Sequence, residues 1–318
     1  MTPMRAVYAE AINPEDPLSG LAIGERPEPQ PHPGWEVVKV VASALNHHDI
    51  WSLRGVGLAE NQLPMILGCD AVAERADGSR VLVHAVIADA KDPRGFSLLS
   101  EKHQGTLADY VTVPAENLLP LPDAVSTQDA VALPTAWLTA YRMLTTKGRV
   151  QDADAVLVQG AGGGVATAAV VLAHAMGKRV YATSRDAAKR KKIAALGAIA
   201  VEPGARLPER VDVVIETVGP ATFDHSLKCA APGARVVVSG STSGRSAEML
   251  LARVFMMELQ ILGSSMGTAD ELRALIDLVA TKGVRPVIDE VFTFADARQA
   301  FEKLATGDVF GKLVLAHS

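Results

Sequence analysis

The sequence predicts an α/β protein in which a doubly wound parallel sheet follows a β-rich first third. Between residues 155 and 239, short apolar segments of strand type alternate with segments of helix type. This alternation is typical of a parallel sheet with helices on both faces. In the first 122 residues, β-branched apolar runs are instead separated by prolines and glycines, which favours strands joined by turns.

The individual elements follow from local patterns. The predicted strands are short and apolar, at residues 35–41, 80–83, 110–113, 155–158, 180–183, 211–215, 235–239 and 312–315. Ser126 is a predicted helix N-cap, and Thr268 with Glu271 forms a capping box. The other predicted helices follow Pro134 or show helical apolar spacing, at residues 165–176, 187–196 and 296–304.

Length and charge exclude several classes of protein. A chain of 318 residues allows about two domains. The net charge of −5 gives no electrostatic reason to expect nucleic acid or an anionic membrane as a partner. No apolar run approaches the roughly 20 residues that span a bilayer, and no signal region is visible. Cys69 and Cys229 lack zinc or redox spacing, so we expect a cytoplasmic protein.

A glycine-rich turn connects the first strand of the alternating part to its helix. A strand followed by a glycine turn and a helix is typical of a dinucleotide site, where the backbone approaches a pyrophosphate closely. The N–H groups at the helix start then meet its negative charge. The residues assigned to this contact are Gly160, Gly162, Gly163, Gly164 and Val165.

The next strand predicts which dinucleotide binds. NAD-specific folds place an acidic residue at its end, whereas this chain has Ser184 and Arg185, with Lys189 one turn into the helix. A hydroxyl and two cations suit a 2′-phosphate, so we expect NADPH rather than NADH. Asp186 is expected to serve as the N-terminal acid of the helix, and residues 190–192 as a solvated helix face.

Several motifs, in this order, resemble the medium-chain dehydrogenase/reductase superfamily and, more narrowly, its zinc-independent quinone oxidoreductase-like branch. They are Ala44-Leu45-Asn46-His47-His48-Asp49, Arg54-Gly55, Pro64-Met65-Ile66-Leu67-Gly68-Cys69-Asp70, Gly105-Thr106-Leu107-Ala108-Asp109-Tyr110, Ala132-Leu133-Pro134, Leu138-Thr139-Ala140-Tyr141, the glycine turn, Glu216-Thr217-Val218-Gly219 and Gly311-Lys312.

The resemblance implies a domain order. A GroES-like β-rich substrate domain would occupy residues 1–122, and a Rossmann dinucleotide-binding domain residues 123–266. Residues 267–318 would return to the first domain, and the active site would lie in the cleft between the domains. The resemblance also implies a homodimer formed by pairing sheet edges near the segment after Ser239.

Zinc relatives bind a catalytic metal at three positions that correspond here to Asn46, Cys69 and Thr135. An amide and a hydroxyl are poor zinc ligands, and two cysteines cannot build a four-cysteine structural site. The competing idea is a rearranged metal site that uses His47, His48, Asp49, Cys69 and Asp70. Consecutive side chains on an extended segment point to opposite faces, so we predict no metal.

Without zinc to stabilise an alkoxide, oxidation of a simple alcohol is disfavoured. Zinc-free relatives use NADPH to reduce quinones or conjugated carbon–carbon double bonds. The resemblance therefore implies hydride transfer to a small-molecule quinone or α,β-unsaturated carbonyl, with no nucleic acid or membrane partner. Two alternatives stay open: an alcohol dehydrogenase with an atypical metal site, and an NADPH-binding sensor without turnover.

Three residues are assigned to catalysis. Asn46 matches an asparagine that faces the nicotinamide ribose and substrate, and its amide would donate to a developing enolate oxygen; the alternative is a turn cap. His48 stands where zinc relatives keep a proton-relay hydroxyl, so it would supply a proton, or else be structural. Trp51 replaces a tyrosine and offers a stacking surface, or else belongs to the core.

Four further residues are assigned to the cofactor by the resemblance: His47 near the pyrophosphate, Thr139 near the nicotinamide, Gly240, and Lys312. For Lys312 the competing interpretation is a solvated lysine. Asp49 is expected to be structural and to hold the motif by hydrogen bonds. Residues 88–104 replace the structural-zinc lobe of relatives, and their composition identifies no ligand.

Overall fold

The computed structural model describes residues 2–317, and their contacts group them into two compact units. The first unit comprises residues 2–135, 268–281 and 288–317, and the second comprises residues 136–267 and 282–287. The predicted domain bounds at 122 and 266 stay a prediction. None of the described helices is both long enough and apolar enough to cross a membrane.

The strands of the described residues are β1 (Pro3–Ala9), β2 (Leu21–Pro27), β3 (Trp35–Ala44), β4 (Met65–Ile66), β5 (Asp70–Glu74), β6 (Arg80–Val83), β7 (Val86–Ala88), β8 (Phe96–Leu98), β9 (Tyr110–Pro114), β10 (Leu118–Pro120), β11 (Ala155–Val158), β12 (Arg179–Thr183), β13 (Ile199–Val201), β14 (Val211–Glu216), β15 (Ala230–Val238), β16 (Gln260–Gly263), β17 (Ile288–Thr293) and β18 (Lys312–Ala316).

The α-helices are α1 (His47–Leu53), α2 (Thr127–Val131), α3 (Leu138–Arg142), α4 (Gly164–Ala175), α5 (Ala187–Ala195), α6 (Pro220–Cys229), α7 (Leu251–Met256), α8 (Ala269–Lys282) and α9 (Ala297–Thr306). Two π-helical turns, Leu133–Trp137 and Met143–Lys147, extend α3 on both sides. Short 3-10 turns lie at Pro17–Gly20, Glu60–Gln62, Ala115–Asn117, Val150–Asp152 and Phe294–Asp296.

The first unit is built around the long strand β3. This strand pairs antiparallel with β5, β9 and β18, in a sheet with the order β10-β6-β5-β3-β18-β17. The strand β1 pairs with β2 and β4 in a second sheet. Helix α9 buries the apolar face that its spacing predicts, Ala297, Ala300, Phe301 and Leu304. The C-terminal strand β18 lies beside the end of β3 because the two strands pair, with Val314 opposite Ala44.

The second unit confirms the predicted parallel sheet. Six strands pair in parallel in the order β13-β12-β11-β14-β15-β16, and all four residues of β11 are buried. Because the strands are parallel, the carboxyl ends of β11, β12, β14 and β15 meet at one edge. Ligands of doubly wound sheets bind at that edge, and the glycine turn lies there.

Two predicted helix caps are also confirmed. Ser126 Oγ accepts the N–H of Asp129 at 3.1 Å. Thr268 Oγ1 accepts the N–H of Glu271 at 3.2 Å, and the Glu271 carboxylate accepts the N–H of Thr268 at 2.8 Å. These reciprocal bonds satisfy backbone donors that the first helical turn leaves unpaired.

Candidate active site and cofactor site

The first residue of the glycine turn, Gly160, is held by contacts with the protein interior. Gly160 has φ +66°, and a β-carbon there would collide with the side chain of Val218. Its N–H donates to Thr183 Oγ1 at 3.0 Å. Glycine is therefore required at residue 160 by packing, and the N–H of Gly160 is committed to the protein rather than to a phosphate.

The rest of the turn is open. A β-carbon at Gly163 would meet no atom within 4 Å, and one at Gly162 would lie 3.3 Å from Cδ of Lys189. Helix α4 begins at Gly164, so the N–H groups of Gly164 and Val165 precede its first intrahelical hydrogen bond. Free N–H groups, a helix N-terminus and a lysine side chain beside them fit a bound phosphate group.

The end of β12 is held by two neighbouring side chains. Asp186 Oδ1 accepts the N–H groups of Ala188 and Lys189 at 2.6 and 3.1 Å, which confirms Asp186 as the N-cap of α5. Arg190 donates to the carbonyls of Ser184 and Arg185 at 2.8 and 3.0 Å. The expectation of a solvated face is therefore wrong for Arg190, because its guanidinium binds the backbone of the strand end.

These contacts leave the predicted 2′-phosphate residues in different settings. Ser184 is 6% exposed, whereas Arg185 is exposed and Lys189 is half-buried. Of the other predicted cofactor residues of this unit, Thr139 is buried in α3. Gly240 lies against Thr217, and a β-carbon at Gly240 would come within 2.7 Å of the Thr217 carbonyl oxygen.

In the first unit, Asn46 immediately precedes α1. The segment from His47 is therefore helical, and the prediction of an extended segment is wrong. Asp49 explains the helix start: its Oδ2 accepts the N–H of Asn46 at 2.8 Å, and its Oδ1 accepts the N–H of Gly68 at 2.9 Å. Burial raises the pKa of Asp49. The prediction that Asp49 is structural is confirmed.

Lys312 lies against the motif of residues 44–49 rather than in solvent. Its side chain is 3% exposed, and Nζ donates to Leu45 O at 2.7 Å, to Asn46 Oδ1 at 2.6 Å and to Asp70 Oδ2 at 3.0 Å. The expectation of a solvated lysine is wrong. A buried ammonium group with three oxygen acceptors instead fixes the first residue of β18 against the motif.

The Asn46 side chain is bound on both sides. Its Oδ1 accepts from Lys312, and its Nδ2 donates to Asp70 Oδ2 at 2.9 Å and, at 3.4 Å, to the Ala44 carbonyl. The second bond is long, so it leaves a weakly held hydrogen. The other carboxylate oxygen of Asp70, Oδ1, is buried without a hydrogen-bond partner.

The imidazole of His48 lies between the sulfur of Cys69 and the carboxylate of Glu101. Its Nε2 is 3.1 Å from Glu101 Oε1, and its Nδ1 is 3.5 Å from Cys69 Sγ. Burial opposes a charge on the ring, but the sulfur and the Glu101 carboxylate together raise the pKa of His48 well above its usual value. Burial raises the pKa of the Cys69 thiol, which donates to the Leu99 carbonyl at 3.4 Å.

Glu101 is a candidate functional residue that the sequence did not reveal. It lies in the segment 88–104, whose composition showed no ligand pattern, and only the folded chain brings it to His48. The structure also shows why residue 57 is a glycine, since a β-carbon there would lie 2.6 Å from Glu101 Oε1. That glycine has φ +82°, so it leaves room for the carboxylate.

His47 and Trp51 lie on the solvent side of α1. The surrounding protein atoms, followed by the Lys312 ammonium, lower the pKa of His47, although its ring stays solvent-exposed. Trp51 is 36% exposed, and the Arg54 guanidinium lies 5.7 Å from the centre of its ring. The core alternative for Trp51 is therefore wrong, and an aromatic face is available for stacking.

Comparison with known proteins identifies the chain. Residues 32–123 match the family "Alcohol dehydrogenase GroES-like domain", and residues 197–315 match "Zinc-binding dehydrogenase". An acryloyl-coenzyme A reductase of Metallosphaera sedula is 27% identical, over 93% of this chain and 96% of that protein.

Two solved structures are similar over nearly the whole chain. An NAD-dependent alcohol dehydrogenase is 31% identical with a TM-score of 0.90, over 99% of this chain and 100% of that chain. A 2-octenoyl-CoA carboxylase reductase, in complex with NADP and 2-octenoyl-CoA, is 25% identical with a TM-score of 0.88, over 99% and 87%. The chain is an oxidoreductase that belongs to the medium-chain dehydrogenase/reductase superfamily.

Proposed function

We propose that the protein is a zinc-independent, NADPH-dependent reductase of quinones or α,β-unsaturated carbonyl compounds. The observation that carries the proposal is the ammonium group of Lys312, which binds Asn46 Oδ1 and Asp70 Oδ2. Asn46 is one of the three positions that bind the metal in zinc relatives, and a divalent metal held by its Oδ1 would meet the positive charge of this ammonium group. Substrates that delocalise the charge left by hydride addition need no such metal.

The other donors of the motif also fit zinc poorly. Both ring nitrogens of His48 have protein partners, and the sulfur of Cys69 is one of them. Within residues 2–317, no group of three or more histidine, cysteine or acidic side chains is arranged to hold a metal ion. Zinc prefers three or four such ligands in tetrahedral geometry. These contacts support the proposal that the site works without zinc.

A nicotinamide cofactor, when bound, supplies the hydride. Residues 162–165 would hold its pyrophosphate, and Ser184, Arg185 and Lys189 a 2′-phosphate. Thr139, Gly240, His47 and Lys312 stay proposed contacts. The NADP-bound reductase and the acryloyl-coenzyme A reductase among the relatives support NADPH and an enoyl acceptor.

The substrate would meet three side chains of the first unit. The Asn46 amide would donate its weakly held hydrogen to the substrate carbonyl oxygen, where negative charge develops. The exposed face of Trp51 would stack on a planar acceptor. Nε2 and Nδ1 of His48 lie 3.1 Å from Glu101 Oε1 and 3.5 Å from Cys69 Sγ, and we propose the imidazolium form of His48 as the proton source for the enolate or the quinol anion.

Initial rates with NADPH and NADH test the proposal against quinones, enones, enoyl-CoA thioesters, aldehydes and alcohols. We expect consumption of NADPH with a quinone or a conjugated carbonyl, and less than one zinc per ten chains by elemental analysis. Turnover of simple alcohols with about one zinc per chain would instead establish the alcohol dehydrogenase alternative. Tight NADPH binding without turnover across the panel would indicate a sensor.

We also propose a homodimer. The strand β16 is an edge strand of the parallel sheet, and the segment before it exposes Leu250, Leu251, Phe255 and Met256. An edge strand offers unpaired backbone donors and acceptors, and a contiguous apolar surface favours burial. A second copy of the chain satisfies both needs by pairing edge to edge.

A further inference from the structure

The carboxylate of Glu216 lies at the end of β14 and is fully buried. Its Oε1 accepts the N–H groups of Val218 and Gly219 at 2.8 and 3.0 Å, and the Thr222 hydroxyl contacts both oxygens at 2.9 Å. Its Oε2 accepts the Ser226 hydroxyl at 2.6 Å. A buried charge with this many donors is stabilised without a cation.

A chain of hydrogen bonds leads from this carboxylate to the glycine turn. Ser226 Oγ donates to Glu216 and accepts from Gln159 Nε2 at 3.0 Å. Gln159 Oε1 accepts the Thr183 hydroxyl at 2.8 Å, and Thr183 Oγ1 accepts the N–H of Gly160 at 3.0 Å. The chain therefore joins the ends of three neighbouring strands to the first glycine of the turn.

The direction of this chain is fixed at both ends. The N–H of Gly160 can only donate, and the carboxylate of Glu216 can only accept. Every hydroxyl between them accepts one bond and donates the next. Replacing the carboxylate by an amide adds a donor, and no flip of Gln159 or rotation of Ser226 removes the excess. One buried donor is then left unpaired, at a cost that the chain transmits to Thr183.

Glu216 also acts on Gly160 through a second contact, the side chain of Val218. Its Oε1 holds the backbone of Val218, and the Val218 side chain packs where a β-carbon of Gly160 would be. The same carboxylate thus fixes both groups that confine Gly160, the hydroxyl of Thr183 and the side chain of Val218. The position of the turn depends on a residue at the end of another strand.

The geometry points to Glu216 as the positioning residue of the cofactor site: without touching the cofactor, its carboxylate sets the affinity for the pyrophosphate by fixing the glycine turn from two sides. This inference rests on the proposed binding of a nicotinamide dinucleotide at the turn. It assigns a role to the Glu216-Thr217-Val218-Gly219 motif. Gln159, Thr183 and Ser226 share this role, because they form the hydrogen-bonded chain between Glu216 and the turn.

Fluorescence titrations of NADPH and NADH test the role with Glu216→Gln, Ser226→Ala and Thr183→Val. We expect Kd for the preferred dinucleotide to rise about tenfold or more in both Glu216→Gln and Thr183→Val. The first variant leaves one buried donor unpaired, and the second leaves Gln159 Oε1 and the N–H of Gly160 without their partner. Ser226→Ala should raise Kd less, because Gln159 Nε2 retains its other hydrogen-bond partner, His225 Nδ1 at 3.0 Å. Thr183→Ser retains the hydroxyl and should restore the wild-type Kd.

Two comparisons separate positioning from general destabilisation. Tyr181→Phe removes a hydrogen bond of 2.7 Å to Glu209 from the same strand and should leave Kd unchanged. Adenosine 2′-monophosphate has no phosphate for the turn, so its Kd should be the same in all variants. All titrations are run well below the lowest thermal midpoint, so that every variant is folded.

Several results would overturn the role of Glu216. These are an unchanged dinucleotide Kd in Glu216→Gln and Thr183→Val, an equal loss for adenosine 2′-monophosphate, or a failure of Thr183→Ser to recover. A wild type that prefers NADH contradicts the proposed cofactor preference alone, because the same comparison then proceeds with NADH. A wild type that binds neither dinucleotide overturns both proposals.

Discussion

Lys312 Nζ lies 3.0 Å from Asp70 Oδ2, and the two side chains are 3% and 0% exposed. Asp70 begins β5 and Lys312 begins β18, and both strands pair with β3. The ion pair therefore bridges the strands on either side of β3, next to Asn46. It ties residues 242 positions apart in the sequence to the same motif.

Breaking this pair should destabilise the protein strongly. In Lys312→Met the Asp70 charge stays buried without its partner, so we expect the free energy of unfolding to fall by about 3–5 kcal/mol. The double variant Lys312→Met/Asp70→Asn removes the unpaired charge and should recover part of the loss. Urea unfolding measures both. Losses that simply add in the double variant would contradict the coupling, and Arg273→Met, at an exposed ion pair, is the control.

Cofactor preference should depend on the end of β12. Ser184→Asp combined with Arg185→Ala replaces a hydroxyl and a cation by a carboxylate, which repels a 2′-phosphate and accepts from a 2′-hydroxyl. We expect Kd for NADPH to rise by about tenfold or more while Kd for NADH falls or stays constant. Lys191→Ala, which removes an exposed cation of the following helix α5, is the matched control. An unchanged preference would place the 2′-phosphate elsewhere.

Glu101 should set the pH dependence of His48. Cys69, Glu101 and Asp49 raise the pKa of His48 against the effect of burial. In Glu101→Gln the carboxylate is lost, so the imidazole should titrate at lower pH, and the alkaline limb of kcat/KM should move to lower pH with it. The NMR titration of His48 and the rate profile measure these shifts. His48→Ala should lack the alkaline limb of kcat/KM. If wild type and Glu101→Gln had the same pH profile, His48 and Glu101 would have only a structural role.

Protonation of His48 should also stabilise the fold. Because the folded pKa lies above the unfolded value of about 6.5, its contribution is complete below that pH and is lost as the pH rises through the folded pKa. Wild type should therefore lose more stability than Glu101→Gln between neutral and alkaline pH. Parallel stability curves for the two proteins would argue against the raised pKa.

For His317 the dependence of stability on pH has the opposite sign, because its pKa is lowered in the folded protein. Its ring is 4.5 Å from that of Phe294, its Nε2 is 3.0 Å from Ser43 Oγ, and burial lowers its pKa to about 4. Stability is complete above about pH 6.5 and falls as the pH drops toward 4, by about 3 kcal/mol in total. His317→Gln does not titrate, so the difference in unfolding free energy between wild type and variant should shrink over that range. A constant difference would refute the low pKa.

Local patterns predicted much of the second unit. The apolar runs predicted the strands, the glycine pattern predicted the turn between β11 and α4, and Asp186 predicted the cap of α5. Each of these features depends on residues that are close in sequence. The side chains that the sequence misplaced depend on distant partners. A lysine is solvated by default, and only the fold brings Asn46 and Asp70 to Lys312. Arg190 is different, because its acceptors are the nearby carbonyls of Ser184 and Arg185, and the sequence did not show that its side chain folds back onto them.

The candidate catalytic group was predictable only in part. The motif around Asn46 placed His48 near the chemistry, but neither Glu101 nor the orientation of the imidazole follows from spacing. The loop that carries Glu101 has no periodic pattern, and its contact with His48 spans 53 residues. Family resemblance transfers a residue type to a position, whereas the partners of that residue are set by packing.

The edge of the parallel sheet provides the last prediction. Phe255 and Met256 are 67% and 74% exposed beside the edge strand β16, a surface that favours association. Phe255→Glu places a charge in the proposed interface, so we expect light scattering to report the mass of one chain, 33.4 kDa, where wild type gives twice that mass. Ile199→Glu alters an exposed apolar residue on β13, the opposite edge strand, and should leave the dimer intact. Dissociation by Ile199→Glu alone would move the interface to β13, and a monomeric wild type would exclude the dimer.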